Sequence, residues 1–248
     1  MNAAVYPASR SYYQKVLPAV KSLLYHSKVE QVVLLIEDDE YPGYLPEPVI
    51  TMNAQKVFSP YLAPNGPNVT RAPHAYLSIA RTIYAGPLWT MGYRRILSLD
   101  ADTIVAQDIG DEPWTMDLDG CHVAGVPEVK LSAELGRPYI SAGVMLMDLD
   151  AIHRHRRDVK MLHTMNTVRY QWLEQDCINE HCRIKPLGPE WNTSRFTCGD
   201  KEWGGGVSAE GNVKILHYAY TFGWEHKPPV RMFRDMSWEE VMEKWNRT

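Results

Sequence analysis

Pairs of aspartates separated by one residue are the most distinctive candidates for chemistry in this sequence. They occur as Asp100/Asp102, Asp117/Asp119 and Asp148/Asp150. Only the first pair both follows a short apolar run, 96–99, that is typical of a buried strand and precedes a second apolar pair, Ile104-Val105. Two carboxylates so close repel each other unless one is protonated or a cation lies between them. Because Mg²⁺ and Mn²⁺ prefer oxygen ligands, Asp100 and Asp102 are candidate ligands for a divalent cation.

The other two pairs have ordinary structural interpretations. Asp117 and Asp119 precede Gly120, a sequence typical of a turn. Asp148 and Asp150 lie where a predicted strand ends and a helix begins, and we predict Asp150 as the N-cap of that helix.

Short apolar runs alternate with helix-period segments, which predicts an α/β fold with a mainly parallel central sheet. The predicted strands are 3–8, 31–36, 95–99, 121–126, 142–147 and 213–218, with a weaker candidate at 49–52. Helices are expected after residue 12, at about 74–89, after Asp150 and at 172–179, and Pro18 predicts a kink or a later start of the first one. In such sheets ligands bind at the carboxyl ends of the strands, where Asp100 and Asp102 lie.

Composition excludes several classes of protein. The chain has 248 residues, 45% hydrophobic and 23% charged, which is typical of a globular protein. Its net charge of −4 argues against a nucleic-acid partner, and we interpret the basic run 153–157 as a solvated helix face. No apolar run is long enough for a transmembrane segment, and the start of the sequence has no export signal. The four cysteines lack metal or disulfide spacing, so we expect reduced thiols and a cytoplasmic location.

Two metal-using families place Asp-x-Asp after an apolar strand. The segment 99–103 is similar to the first motif of haloacid-dehalogenase-type phosphatases, in which the first Asp is the nucleophile. That family also has a later Gly-Asp followed closely by another Asp. The candidate pair here, Gly199 and Asp200, is followed by Glu202 but by no second Asp nearby. The phosphatase is therefore the weaker alternative.

A second family matches more of the chain. The matching segments, in order, are Tyr12 after the first strand, Ala80-Arg81, Leu99 to Thr103, Ala142 to Met147, Gln175-Asp176-x-x-Asn179, Trp191-Asn192, His217-Tyr218, and Gly223 with Lys227-Pro228. From Val5 to Pro228 the sequence thereby resembles glycosyltransferase family 8, retaining nucleotide-sugar transferases of GT-A fold that include glycogenin and bacterial lipopolysaccharide galactosyltransferases.

The resemblance implies a metal-dependent transfer of a hexose, glucose or galactose, from a UDP-sugar to an acceptor hydroxyl of an unknown glycan, lipid-linked or protein partner. Asp100, Asp102 and His217 would bind Mn²⁺ or Mg²⁺, and Lys227 would pair with the diphosphate. Gln175, Asp176 and Arg81 would be the catalytic residues. The residues implied to contact the nucleotide sugar are Pro7, Ser9, Tyr12, Arg81, Asp100, Ala101, Asp102, Ser141, Ala142, Gln175, His217, Gly223 and Lys227.

Some positions depart from the family pattern. Ser141 stands where Asn is common, Glu174 replaces a common Asp, and Ser9 and Arg10 fall where acidic residues often contact the uracil. The resemblance therefore implies the metal site more firmly than it implies uridine specificity. A catalytically silent nucleotide-sugar-binding protein is an alternative of another class, since it would share every binding motif but show no turnover.

We expect one GT-A domain over residues 1–248, in which 229–248 form a C-terminal extension. Ser237 and Glu240 have the spacing of a capping box, which predicts that this extension ends in an amphipathic helix.

Overall fold

The computed structural model describes residues 1–198, 212–219 and 223–247. Its main feature is a seven-stranded sheet of order β3-β2-β1-β4-β7-β6-β8, accompanied by a two-stranded sheet of β5 and β9. The strands are β1 (Asn2–Pro7), β2 (Val32–Ile36), β3 (Val49–Asn53), β4 (Arg95–Leu99), β5 (Thr103–Val105), β6 (Val123–Pro127), β7 (Ile140–Asp148), β8 (Ile184–Pro186) and β9 (Ile215–His217). Gly199 and Asp200, which the phosphatase pattern would use, lie outside the described residues.

Helices cover both faces of the large sheet. They are α1 (Tyr13–His26), α2 (Ala54–Phe58), α3 (Ala75–Ile79), α4 (Pro87–Thr90), α5 (Glu112–Thr115), α6 (Val129–Leu135), α7 (Leu149–Arg154), α8 (Arg157–Thr167), α9 (Leu173–His181), α10 (Arg195–Cys198), α11 (Pro228–Asp235) and α12 (Trp238–Arg247). Along β1, Ala3 and Val5 pack into one buried cluster and Ala4 and Tyr6 into the other. Burial on both faces explains why the strands are apolar along their whole length.

The order of the strands places the ends of β1 and β4 at the centre of the sheet. β1 pairs in parallel with both β2 and β4, whereas β7 runs antiparallel to β4 and β6. After β1 the chain continues to β2 on one side of the sheet, whereas after β4 it continues to β6 and β7 on the other side. Ligand sites of open α/β sheets lie at such a change of direction.

Several predicted elements need correction. The first helix begins at Tyr13, so the later start that Pro18 suggested is wrong. The segment predicted as one helix at 74–89 is divided into α3, a 3₁₀ turn at Ala80–Ile83 and α4. Asp148 rather than Asp150 is the N-cap of α7, because its side chain accepts the backbone N–H of Ala151 at 2.8 Å. The strand continues to that residue, so the helix begins earlier than its sequence suggested.

The basic run 153–157 spans the end of α7 and the start of α8 rather than a single helix face. Arg156 adopts a left-handed conformation there, with φ of 53°. Arg154, His155 and Arg156 are exposed, so the predicted solvation is observed although the predicted continuous helix is not.

The two last helices pack on α1. The predicted capping box is present: Ser237 N–H donates to Glu240 Oε2 at 2.7 Å, and Glu240 N–H donates to Ser237 Oγ at 3.2 Å. Val241 is buried, while Trp238 packs against the same cluster, which gives α12 one apolar face. The assignment of 1–248 to one domain with an extension from 229 stays a prediction.

All four cysteines are free in the structure. Within the described ranges, none of the helices has the length and apolar character needed to cross a bilayer. The cytoplasmic location stays a prediction.

Candidate active site

A cavity of 820 Å³ opens where β1 and β4 end and β7 begins. The predicted site residues that line it are Pro7, Ser9, Tyr12, Arg81, Asp100, Ala101, Asp102, Ser141, Ala142, Gln175 and His217. Asp176, Gly223 and Lys227 are not among its lining residues in the described part of the chain. The fold thus brings together residues from six separate sequence segments.

Asp100, Asp102 and His217 form a compact cluster in this cavity. Nε2 of His217 lies 3.4 Å from Oδ2 of Asp100 and 3.4 Å from Oδ1 of Asp102. One ligand atom from each residue falls within 4.8 Å of the others. Two carboxylates and an imidazole are a donor set that suits Mn²⁺ or Mg²⁺, so the residues present fit the predicted cation.

The small β5–β9 sheet brings His217 to the carboxylates. Thr103 pairs with His217 in this antiparallel ladder, and Tyr218 N–H donates to the carbonyl oxygen of Asp102 at 3.1 Å. On the other side, Asp100 N–H donates to the carbonyl oxygen of Gly143 at 2.8 Å. The main chain therefore fixes both aspartates and the histidine before any ligand binds.

Asn192 fixes the ring orientation of His217. The Nδ1 atom of His217 lies 3.0 Å from Oδ1 of Asn192, and both residues are buried. Because an amide oxygen only accepts, Nδ1 carries the hydrogen and Nε2 faces the two carboxylates. This arrangement leaves Nε2 as the ligand atom, as a metal-binding histidine requires.

The cluster favours positive charge. Burial disfavours the imidazolium form of His217, but hydrogen bonds to Asp100 and Asp102 outweigh burial and raise the pKa of His217 to about 10. Burial also disfavours the Asp100 carboxylate, yet the charges of Arg81 and His217 hold the pKa of Asp100 below its usual range. The Asp100 carboxylate is thus kept ionised, and a cation that binds to the cluster would displace the proton on Nε2 of His217.

Arg81 is a buried partner of the cluster, through its contact with Asp100. It is 2% exposed, and its guanidinium contacts Asp100, Ser98 Oγ at 3.1 Å and Glu174 Oε1 at 3.1 Å. These contacts raise the pKa of Arg81 although burial opposes its charge. The resemblance assigned Arg81 to the donor sugar; in the structure it also orients Asp100.

Gln175 lines the cavity from the first turn of α9. Its Oε1 accepts the backbone N–H of Ala142 at 2.8 Å, and its Nε2 donates to Glu128 Oε1 at 3.0 Å. One turn later on α9, Asn179 Oδ1 accepts the N–H of Ile140 at 2.8 Å. β4 pairs with β7 from Val144 to Asp148. The side chains of Gln175 and Asn179 therefore supply hydrogen-bond acceptors for backbone N–H groups in the earlier part of β7, which β4 does not reach.

Asp176 has two structural partners. Its Oδ1 accepts the hydroxyl of Tyr139 at 2.5 Å, and its Oδ2 accepts the backbone N–H of Trp172 at 2.7 Å. The second bond caps the start of α9, and the first connects this helix to Tyr139, the residue before β7. The catalytic role implied for Asp176 stays a prediction.

The segment after β1 also lines the cavity, through Ser9 and Tyr12. Tyr12 is 37% exposed, and the ammonium of Lys15 lies 5.0 Å from the centre of its ring. Arg10 is paired with Asp38, with 2.6 Å between Nη2 and Oδ1. An exposed aromatic ring at the start of a helix is suited to stack on a nucleobase.

Gly223 and Lys227 flank a 3₁₀ turn near the start of α1. Glu225 in this turn pairs with Lys15 at 3.5 Å, while Lys227 is exposed. Gly223 has φ of 67°, a conformation that favours glycine. The roles implied for Gly223 and Lys227 stay predictions.

Sequence reasoning missed several residues of the cavity. Glu128, Trp172, Leu173, Arg195 and Phe196 line it without having been predicted. Leu173 has φ of 46°, a strained conformation of the kind that clusters at functional sites. No local motif marks Glu128; it could have been found only from the pairing of β6 with β7.

Comparisons with known proteins agree with this geometry. The sequence matches the model of the Glycosyl transferase family 8 over residues 69–228, more than half of the chain. A search of curated proteins found no match. The comparison with solved structures, by contrast, found glycosyltransferases.

Three of these structures illustrate the likeness. The bifunctional glycosyltransferase WbbM superposes with a TM-score of 0.68 at 16% identity, over 99% of this chain and 51% of that one. GlyE of Streptococcus pneumoniae gives 0.67 at 16% identity, over 99% and 63%. The galactosyltransferase LgtC, in complex with donor and acceptor sugar analogues, gives 0.57 at 15% identity, over 98% and 99%.

At these identities the likeness to solved structures shows the fold, which is the predicted GT-A fold. This chain spans about half the length of WbbM and less than two thirds of GlyE. The family match and the fold together confirm the resemblance found in the sequence: the chain belongs to glycosyl transferase family 8.

Proposed function

We propose that the protein transfers a hexose from a UDP-sugar to an acceptor hydroxyl with retention of anomeric configuration, with Mn²⁺ or Mg²⁺ as cofactor. The observation that carries this proposal is the Asp100/Asp102/His217 cluster in one cavity with Tyr12 and Gln175. LgtC, whose solved complex holds donor and acceptor sugar analogues, supports a nucleotide-sugar donor and a glycan acceptor.

The proposed donor lies along the cavity from Tyr12 to Gln175. The ring of Tyr12 would stack on the uracil, and Pro7 and Ser9 would line the ribose end. Asp100, Asp102 and His217 would hold the cation, which supplies Lewis-acid stabilisation of the departing diphosphate when bound. Lys227 and Gly223, at the turn beside Lys15, would close over the diphosphate, where the ammonium adds a point charge.

The sugar would lie near Ala101, Ser141, Ala142 and Gln175. Transfer breaks the bond between the anomeric carbon and the diphosphate oxygen and forms one to the acceptor oxygen. The acceptor proton passes to the departing diphosphate, so no separate general base is required. A double displacement would need a carboxylate beneath the anomeric carbon.

The contacts of Gln175 favour attack from the face that the diphosphate leaves. Its amide oxygen already accepts the Ala142 N–H, which reduces its strength as a nucleophile further. Asp176, bonded to Tyr139 and to the Trp172 N–H, lies outside the cavity lining. We therefore propose that Gln175 contacts the sugar as a dipole and that Arg81 acts through Asp100.

The test is a panel of nucleotide sugars incubated with the protein, with Mn²⁺ or with a chelator. Released nucleoside diphosphate is measured with and without a mixture of simple glycoside acceptors. We expect release from a UDP-hexose only with the metal. Release from every nucleotide diphospho-sugar at equal rates would contradict the uridine preference.

Two other outcomes separate the alternatives. Tight binding of UDP-sugars with no release under any condition would identify a silent binding protein. Release of phosphate from phosphomonoesters would favour the phosphatase.

A further inference from the structure

Glu128 occupies an unusual position for a carboxylate in this cavity. It follows β6 directly, and its backbone N–H donates to the carbonyl oxygen of Tyr139 at 2.8 Å. This bond closes the end of the β6–β7 pair, where Pro127 lies opposite Ile140. The carboxylate is half-buried and lines the cavity. It is held in place by the sheet rather than by a loop.

The partner of this carboxylate is the amide of Gln175. Oε1 of Glu128 accepts a hydrogen of Gln175 Nε2 at 3.0 Å, while Gln175 Oε1 accepts the Ala142 N–H at 2.8 Å. Three elements therefore meet at one carboxamide: the end of β6, the start of β7 and the first turn of α9.

These two bonds permit one orientation of the amide. If the amide rotated by half a turn, its NH₂ group would face the Ala142 N–H and its oxygen would face the Glu128 carboxylate. Two donors would then oppose each other, and so would two acceptors. Leaving such partly buried groups unpaired costs more free energy than losing a hydrogen bond at an exposed site.

We propose that Glu128 is a positioning residue that fixes the Gln175 carboxamide toward the sugar-binding part of the cavity. This inference rests on the proposed function, because Gln175 faces a donor sugar only if the protein binds one. A preoriented dipole requires no rearrangement when the transferred sugar develops positive charge. Glu128 acts here as a hydrogen-bond acceptor, and its negative charge is secondary.

This role predicts a specific pattern in the kinetics. Base stacking at Tyr12 and cation binding at Asp100 and Asp102 do not depend on Glu128, so donor binding should persist without it. Loss of an interaction that matters only at the reacting carbon lowers kcat and leaves KM nearly unchanged.

The experiment compares Glu128→Ala, Glu128→Gln and, as a control, Glu134→Ala. Glu134 is an exposed carboxylate on the adjacent helix α6, where it pairs with Lys130 at 3.9 Å. We expect Glu128→Ala to lose about tenfold in kcat for UDP release, with the donor KM within about threefold. Glu128→Gln retains an acceptor oxygen and should recover most of the loss, while Glu134→Ala should match the parent.

A second readout does not require turnover. The side-chain NH₂ signals of Gln175 in a ¹H–¹⁵N spectrum, assigned by their loss in Gln175→Glu, should shift in Glu128→Ala and stay near the parent position in Glu128→Gln. Unshifted signals in Glu128→Ala would overturn the inference. So would a kcat in Glu128→Gln as low as in Glu128→Ala, because the charge would then be the essential feature.

The two proposals fail in different ways. If the parent protein released UDP from no donor, the proposed function would be wrong, and the Gln175 signals would still decide whether Glu128 orients the amide. If the parent turned over and the Glu128→Ala protein matched it, only the positioning role would be wrong.

Discussion

A methyl group at position 143 would overlap the ring of His217. A Cβ built on Gly143 would lie 2.0 Å from Cε1 and 2.6 Å from Nδ1 of His217. Gly143 belongs to β7, whose backbone at this residue also accepts the Asp100 N–H. The absence of a side chain on a central strand is therefore what allows the imidazole to reach the two carboxylates.

The Gly143→Ala protein should lose most of its cation affinity, because backbone atoms of a central strand cannot yield and His217 must move instead. We expect Mn²⁺ binding, measured by electron paramagnetic resonance, to weaken at least about tenfold. Gly86→Ala is a matched control, since a Cβ there meets only the Ile83 carbonyl at 3.4 Å. Equal Mn²⁺ affinity in both variants would contradict this account.

Asp102→Asn should abolish most UDP release, because an amide oxygen is a much weaker ligand than a carboxylate. A loss of about 100-fold at fixed Mn²⁺ is expected, partly restored by higher Mn²⁺. The control is Asp119→Asn in another Asp-x-Asp pair; Asp119 is exposed with φ of 52°, which Asn tolerates. Undiminished turnover by the Asp102→Asn protein would eliminate the proposed metal site.

Asn192 should matter for cation binding although it is not a ligand. Asn192→Ala removes the acceptor of the His217 Nδ1–H at 3.0 Å, so the ring can turn and Mn²⁺ affinity should fall about tenfold. Asn192→Asp keeps an acceptor oxygen of the same size and should stay within about threefold of the parent. An Asn192→Ala protein with the parent's affinity would show that packing alone, including Gly143, holds the ring.

Tyr12→Ala should weaken the binding of UDP in the presence of Mn²⁺ by about tenfold, since base stacking on an aromatic ring contributes roughly 1–3 kcal/mol. Tyr12→Phe keeps the ring and should bind nearly as the parent does. Isothermal titration calorimetry measures both. Tyr44→Ala, at a 71% exposed tyrosine outside the cavity lining, tests for a general effect of losing a surface ring.

Acid should destabilise the fold through His122. Burial, helped by the charges of Arg157 and Arg183, lowers the pKa of His122 to about 4. Its Nδ1 accepts the Arg183 N–H at 2.8 Å, and its Nε2 lies 2.9 Å from His155 Nδ1, so the native ring is neutral. Between the native pKa and the ordinary value of about 6.5, the unfolded chain binds a proton that the native protein does not.

The free energy of unfolding should therefore fall as the pH falls below about 6.5. This histidine contributes about 2 kcal/mol to the difference between pH 7.5 and pH 5. His122→Asn, whose oxygen can accept the Arg183 N–H, should reduce that difference by this amount in urea titrations. A native His122 that titrates near its ordinary value by NMR would refute the argument.

Local patterns predicted the elements around the candidate site. The apolar runs on both sides of Asp100 and Asp102 distinguished this pair from two other Asp-x-Asp pairs, and of the three pairs the structure places only this one beside His217. The short strands β5 and β8, of three residues each, were missed because a period of two needs a longer run to be visible.

Long-range contacts could not be predicted in the same way. His217 was assigned from the family resemblance, since nothing near it in sequence indicates that β9 pairs with β5. Glu128 and Gln175 come together only because β6 and β7 are neighbours and α9 packs across their ends. Asp176 has a family motif around it, yet its contacts with Tyr139 and the Trp172 N–H were visible only in the structure.

The ribbon of β5 and β9 has a consequence for how the protein is made. During synthesis, Asp100 and Asp102 emerge from the ribosome long before His217, which completes the cluster. A nascent chain can therefore form β1 to β4 before the cation site exists. A bound ion would then link an early segment of the polypeptide to a late one. Removal of the ion by a chelator should first weaken the contact between β5 and β9, so that a protease cleaves near β9 while the large sheet still resists cleavage.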